Sequence, residues 1–408
     1  MQLRCSVPEC GTALDLHDRI LACPRCGDLL EVALEDPQLD ATALKKIWRE
    51  RRTSYDFRDT SGVWRFREFL PDYSPDEIVT ISEGNVPLVR GRRTAEWAGV
   101  RNLWFKHLGW NPTGSFKDLG MTAGMTEAKS AGAKTVACAS TGNTAASLAA
   151  YAARGGLAAR VYLPAGQAST NKLAQALDFG AEVVEIQGSF DDALTTLLQS
   201  EDPNLYFLNS INPFRIEGQK TAMFELLEQR NWQVPDYLVI PGGNLGNSSA
   251  FGKALAELKT YDFIDKLPRM VIVQAEGANP LARLWSSGSR HLEAVPYPET
   301  IATAIRIGNP RSWKKALRAV ELTGGMVMDV TDEEIGEAKR IIGRDGIGCE
   351  PASATTLAGL RKLAASGKMG RDAHVVAVLT GHALKDTDYI VNSQKSVEVR
   401  SPAEVSVD

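Results

Sequence analysis

The chain has 408 residues, 44% of them hydrophobic and 24% charged, with 46 Lys and Arg against 50 Asp and Glu for a formal charge of −4. This is the balance of a globular protein with room for two or three domains, and it argues against bulk nucleic-acid binding, which needs a basic excess. Met1–Glu9 carries polar and charged residues where a secretory signal needs an apolar core, and no run approaches the roughly 18 apolar residues of a membrane span, so a cytoplasmic chain is expected.

Four of the six cysteines come first: Cys5 and Cys10, then Cys23 and Cys26, two close pairs separated by twelve residues. In a reducing compartment such knuckles suit one tetrahedral Zn2+, and Gly11 and Gly27, each directly after a knuckle, permit the turn that aims two sulfurs at one ion. A cluster of free thiols is the alternative. Arg4, Arg19 and Arg25 against Glu9, Asp15, Asp18 and Asp28 leave this segment slightly acidic, so a small metal-stapled appendage fits better than a nucleic-acid contact. Residues 36–80 are polar, with Trp48, Trp64, Phe66 and Phe69 as anchors, and read as a covering arm.

From about Arg101 short apolar runs alternate with Ala/Leu-rich helical stretches. Thr135–Ala139, Ala159–Leu163, Glu182–Ile186, Tyr237–Ile240, Val271–Gln274 and Val375–Leu379 are expected strands. Strands alternating with helices imply parallel sheets and an α/β class, whose ligands gather beyond the carboxyl ends of strands.

Four loops at such positions carry chemistry-bearing residues. In Asn111-Pro-Thr-Gly-Ser-Phe-Lys-Asp118, Lys117 opens a helix with Met121, Met125 and Ala128 on one face and Gly132 at its end. The positive helix start, together with burial, would lower the lysine pKa toward the neutral amine that imine chemistry requires; a solvated surface lysine is the alternative. Ser140-Thr-Gly-Asn-Thr144 offers hydroxyls, an amide and a helix start to a carboxylate, more than simple capping needs. Pro241-Gly-Gly-Asn-Leu-Gly-Asn247 lies between a strand and a helix expected near Ser248, and its three glycines let backbone approach an anion, unless they only shape a tight turn. Thr380-Gly-His382 closes the last strand, and a lone histidine there is more often structural than catalytic. A lysine at a helix start with a distant glycine-rich anion loop points to a phosphorylated aldehyde, and pyridoxal 5'-phosphate fits.

These segments, with Cys138–Thr144, Glu217-Gly-Gln-Lys-Thr221, Ser61-Gly-Val-Trp64, Glu83-Gly-Asn85 and Thr380-Gly-His-Ala-Leu-Lys-Asp386, resemble the threonine synthases, pyridoxal-phosphate lyases of the tryptophan-synthase-β fold type. The resemblance implies two open, mainly parallel sheet domains with the cofactor between them, a homodimer, no nucleic-acid or membrane partner, and O-phospho-L-homoserine as substrate. It implies that Lys117 binds the cofactor covalently and shuttles protons, with Phe116 against the ring and Asn143 on its phenolic oxygen. Gly242, Gly243, Asn244, Gly246 and Asn247 would cradle the cofactor phosphate, and Thr380 would face the pyridine nitrogen. Ser140, Thr141 and Thr144 would take the substrate carboxylate, and Asn209, Ser210 and Arg215 the substrate phosphate, for which a guanidinium fork and neutral donors are apt. The expected division is a zinc-ribbon segment 1–32, an arm and first part of the large domain 33–124, a smaller mobile domain 125–212, the large domain 213–392 and a polar tail 393–408. A threonine dehydratase, a cysteate-synthase-like enzyme and a catalytically silent binding homologue are the rival readings.

Overall fold

The computed structural model describes residues 1–35, 39–166, 170–188 and 190–393. The expected tail from Ser393 lies outside them, apart from Ser393 itself. Among the described residues no helix is long and apolar enough to cross a membrane.

All six expected strands form, Thr135–Ala139 and Glu182–Ile186 with the expected bounds and the others longer by one or two residues at an end. They fall into two sheets. The larger has the order Met326–Val330, Arg269–Ala275, Tyr237–Pro241, His374–Leu379, Asn102–His107, Leu88–Arg90, parallel throughout except for the antiparallel edge strand Leu88–Arg90. The smaller is entirely parallel, in the order Glu182–Ile186, Ala158–Pro164, Thr135–Ala139, Leu205–Phe207. Tyr237–Pro241 is buried at every position, as a strand covered by helices on both faces must be. A third, antiparallel sheet of Ala13–Leu14, Gln2–Cys5 and Leu30–Ala33 builds the N-terminal segment, where Gly11 and Gly27 adopt a left-handed φ of 65° and 74°.

The helix that opens with Lys117, Lys117–Ser130, is buried from Asp118 to Ala128, and helix Pro213–Gln229 from Pro213 to Glu228. Neither shows a single apolar stripe, because each has protein on every side. They cross where neither carries bulk. A Cβ at Gly218 would overlap the Leu119 carbonyl oxygen, and one at Gly120 would lie 2.7 Å from the Gln219 amide and 2.8 Å from the Arg215 carbonyl.

The arm 39–80 pins this crossing from outside, and its anchors form one aromatic cluster. Trp48 is fully buried, 5.0 Å from Phe263 and 6.0 Å from Phe224, both stacked, while Phe69 meets Phe224 edge-on at 4.9 Å. Trp64 Nε1 donates to Thr122 Oγ1 at 2.8 Å, joining the arm to the lysine helix. The N-terminal segment docks on the same frame. Its apolar core, Leu3, Leu30 and Val32 with the cysteines, includes Phe214 of the second helix, and Lys253, Lys314 and Arg318 reach Val32 O, Asp28 and Ser6 O.

Gly218→Ala is expected to cost roughly 1–3 kcal/mol through overpacking, read as a lower melting temperature. Gly343 lies in helix Asp332–Arg344 with open space around it. Gly343→Ala should therefore be neutral or stabilising by up to about 1 kcal/mol. Equal melting temperatures for the two variants would remove the close crossing as the reason for Gly218.

Candidate active site

The loops after four parallel strands meet at one place. The segment before Lys117 is stitched to the end of strand His374–Leu379: Phe116 N donates to Thr380 O and His382 N to Gly114 O, both at 2.9 Å, around a Ser115–Gly381 bridge. Asp118 locks the loop from below, accepting from Thr113 N at 2.7 Å and from the hydroxyls of Thr113 and Ser147 at 2.6 Å. Burial pushes this carboxyl up to about 6. His382 accepts from Leu384 N through Nδ1, a capping role.

Lys117 is half-buried, with Nζ 4.2 Å from the Phe116 ring centroid and no hydrogen bond to a described residue. Its pKa falls from the ordinary lysine value to about 7, first through burial and then through the Arg215 guanidinium, with Glu350 opposing. Near neutral pH a large fraction is therefore free amine. The expected depression is present through burial and not through the helix start, and its second cause, an arginine far away in sequence, was not expected.

The glycine-rich loop turns into helix Gly246–Thr260 two residues earlier than Ser248. Leu245, a β-carbon-bearing residue, sits at φ 65°, a strained conformation of the kind that clusters at ligand sites. Beyond it, Asn247 Nδ2 and Oδ1 and Ser248 Oγ are buried without a partner among the described residues. Unmet, each costs about 1–3 kcal/mol, and beside the free amides of a 15-residue helix they fit a phosphate. A Cβ at Gly242 would meet Ile272 at 2.7 Å and one at Gly243 would meet Ile305 at 3.0 Å, so both glycines are there for close backbone approach. Asn244 does not face into this space: its Oδ1 accepts from Arg311 N at 2.7 Å and its Nδ2 donates to Ser210 Oγ.

Ser140, Thr141, Asn143 and Thr144 are half-buried around the start of helix Asn143–Gly155, which has no side-chain cap. Ser140 Oγ accepts from Gly142 N at 3.2 Å, and Asn143 Nδ2 donates to Glu350 Oε2 at 3.0 Å. Asn209 is committed to the strand end, accepting from Ala139 N at 2.9 Å. Arg215 is buried; Nη1 donates to Leu208 O at 3.2 Å, while Nε and Nη2 have no partner among the described residues. Burial lowers its pKa to about 10, still a cation. Thr380 is buried, 3.2 Å from Glu350 Oε1 and 3.1 Å from Ser353 Oγ.

Glu350 and Ser353 were not among the expected site residues. Glu350-Pro351 reads as an ordinary helix entry, yet the Glu350 side chain makes no cap bond to its own helix. Only the fold brings it between Asn143 and Thr380. The four N-terminal sulfurs also converge: Cys5 and Cys26 are 3.4 Å apart, Cys10 and Cys23 3.7 Å, and all four lie within 4.8 Å of one another.

The arrangement offers an amine able to attack a carbonyl, a helix-start anion cradle and a separate buried guanidinium short of partners. Residues 79–381 match the family described as pyridoxal-phosphate dependent enzyme. The chain is 45% identical to a threonine synthase of Methanocaldococcus jannaschii over 389 residues, 95% of this chain and 94% of that one. It is 46% identical to a threonine synthase of Methanosarcina acetivorans, covering 94% and 92%. A threonine deaminase from T.th. superposes with a TM-score of 0.61 at 25% identity, over 73% of this chain and 92% of that one.

Proposed function

We infer the function from the premise that this chain belongs to the pyridoxal-phosphate dependent enzyme family and, within it, to the threonine synthases. The reaction is conversion of O-phospho-L-homoserine and water to L-threonine and phosphate. The observation that carries the assignment of residues is the pairing of a lysine amine near pKa 7 with a buried arginine that has two unpartnered nitrogens. Amine chemistry needs the first, and a substrate with its own phosphate needs the second.

The residues fit the cofactor. Lys117 Nζ would hold its aldehyde carbon, the Gly242–Asn247 loop with Ser248 its phosphate, Phe116 one side of its ring, Asn143 its phenolic oxygen and Thr380 its nitrogen. Pyridoxal phosphate, when bound, supplies the electron sink that makes the substrate Cα and Cβ protons acidic. With its amine free, Lys117 would take the proton at Cα, give it up before taking one at Cβ, and return a proton to Cγ once phosphate has left and to Cα at the end; a pKa near 7 suits one group as both base and acid. Water adds its hydroxyl at Cβ, its remaining proton going to the phosphate. Arg215 holds the γ-phosphate while its bond breaks and binds the released phosphate. The half-buried amides and hydroxyls of Ser140, Thr141 and Thr144 orient the α-carboxylate. Asn209 and Ser210 act on the phosphate site by fixing its walls, to Ala139 and to Asn244. A homodimer accords with the resemblance on which the residue roles rest.

The same reading places one structural Zn2+ on Cys5, Cys10, Cys23 and Cys26. Zn–S bonds of about 2.3 Å in a tetrahedron require sulfurs roughly 3.8 Å apart, close to the pair separations here, and four thiolates leave no position for catalytic water.

Purified enzyme should release phosphate from O-phospho-L-homoserine and not from O-phospho-L-serine, and borohydride reduction with peptide mapping should place the pyridoxyl label on Lys117. Lys117→Ala should lose at least ~100-fold in rate; a label on another lysine, or brisk release by that variant, would overturn the assignment. Arg215→Ala should raise KM for the phosphorylated substrate, worth about 2–5 kcal/mol in kcat/KM, with cofactor retained. Loss of cofactor at unchanged KM would mean that Arg215 serves the other phosphate. Metal analysis should give about one zinc per chain, lost on joint Cys23→Ser and Cys26→Ser substitution; undiminished zinc in that variant would overturn the ligand set.

A further inference from the structure

Among the described residues, Glu350 is the one carboxyl placed between the side chains that this reading sets at two ends of the cofactor ring. Its Oε2 accepts from Asn143 Nδ2 at 3.0 Å, and its Oε1 faces Thr380 Oγ1 at 3.2 Å. Its position is enforced. It is 3% exposed, its backbone N–H is tied to Gly381 O at 3.0 Å, and its helix start goes without the cap it would provide.

Counting hydrogens around Thr380 shows what the carboxyl decides. Ser353 Oγ accepts from Thr380 N at 2.8 Å and Gly381 N at 3.1 Å, which occupies both of its lone pairs, so its own hydrogen goes to Thr380 Oγ1 at 3.1 Å. Thr380 Oγ1 then keeps one lone pair and one hydrogen. An ionised Glu350 can only accept, so it takes that hydrogen and leaves none for a ring nitrogen. A protonated Glu350 donates to the last lone pair, completing the acceptor capacity of Thr380 and freeing its hydrogen to point into the site.

We propose that Glu350 is a positioning residue that works in its protonated form, bridging Asn143 and Thr380 so that the single hydroxyl hydrogen of Thr380 is donated to the cofactor's ring nitrogen. The proposal rests on the placement of Thr380 at that nitrogen. The charged groups facing Glu350 are Lys117 and Lys385; both favour its ionised form, but burial outweighs them and its pKa is raised. Lys385 also feels Asp118, and Lys117 also feels Arg215.

Full-length protein freed of cofactor is titrated with pyridoxamine 5'-phosphate, which has the same ring and phosphate but no aldehyde for Lys117. Glu350→Gln replaces the acid by an amide that donates to Thr380 and accepts from Asn143 at every pH. The dissociation constants of wild type and Glu350→Gln should converge toward acid pH and diverge as pH rises, the wild type ending about tenfold weaker, the worth of one hydrogen bond. The sign follows from ionisation of a carboxyl with a raised pKa as pH rises. The 15N shift of the bound ring nitrogen should move from hydrogen-bonded to free over the same range in wild type and stay constant in Glu350→Gln. Parallel pH curves for the two proteins, or a wild-type 15N shift that does not change with pH, would overturn the role of Glu350. Thr380→Val separates the two readings. If it leaves the 15N shift of wild type at pH 6 unaltered, the placement of Thr380 fails; if it moves the shift while pH does not, only the role of Glu350 fails.

Discussion

The close crossing of helix Lys117–Ser130 with helix Pro213–Gln229 is the constraint on which the site depends. Gly120 and Gly218 sit at the contact, and Gly124 would meet Leu208 at 2.7 Å if it carried a Cβ. Helices that meet through hydrogen in place of side chains bring their backbones together, and with them the first turns that carry Lys117 and Arg215. Burial of the lysine, and after it the guanidinium brought close by the crossing, disfavour the ammonium and lower its pKa to about 7. The amine chemistry therefore follows from a packing decision.

The rest of the site is organised by where polar groups are left unmet. Other buried polar side chains find partners: Lys106 is tied to Glu225 and Val86 O, and Glu83 to Ser61, Thr80 and Tyr151. Against that background, unpartnered atoms on Asn247, Ser248 and Arg215 stand at the mouths of parallel strands. Buried donors without acceptors are costly, and a fold tolerates them where a ligand completes the bonds. Two such groups at two places suit a cofactor and a substrate that each bring an anion.

The segments outside the two sheets hold this geometry in place. Trp48 and its aromatic neighbours clamp Phe224 on the arginine helix, and Trp64 reaches Thr122 on the lysine helix. The cysteine-rich segment shares its apolar core with Phe214, one residue from Arg215, and its His17 lies 3.2 Å from the Glu127 carboxylate near the far end of the lysine helix. Both appendages thus brace the crossing that sets the chemistry.

The α/β class, six strand positions, the lysine at its helix start and the cysteine knuckles were legible in the amino-acid order, because each is a local pattern: apolar runs, a turn-forming loop, close cysteine spacing. Family resemblance added roles for Asn143, Thr380 and Arg215 that no local pattern carries. What stayed hidden are the relations between distant segments. Asn209 and Asn244 look like free donors in sequence, yet tertiary contacts with Ala139 and Arg311 commit their side chains to the walls. Glu350 reads as a helix-start residue and becomes part of the site only when strand His374–Leu379 and helix Asn143–Gly155 close on either side of it. Sequence determines which groups are available and which local turns present them. The arginine beside the lysine, its shortage of partners and the carboxyl between Asn143 and Thr380 were decided by the tertiary structure alone, because burial and charge proximity arise only when the chain folds residues far apart in sequence into one water-poor space.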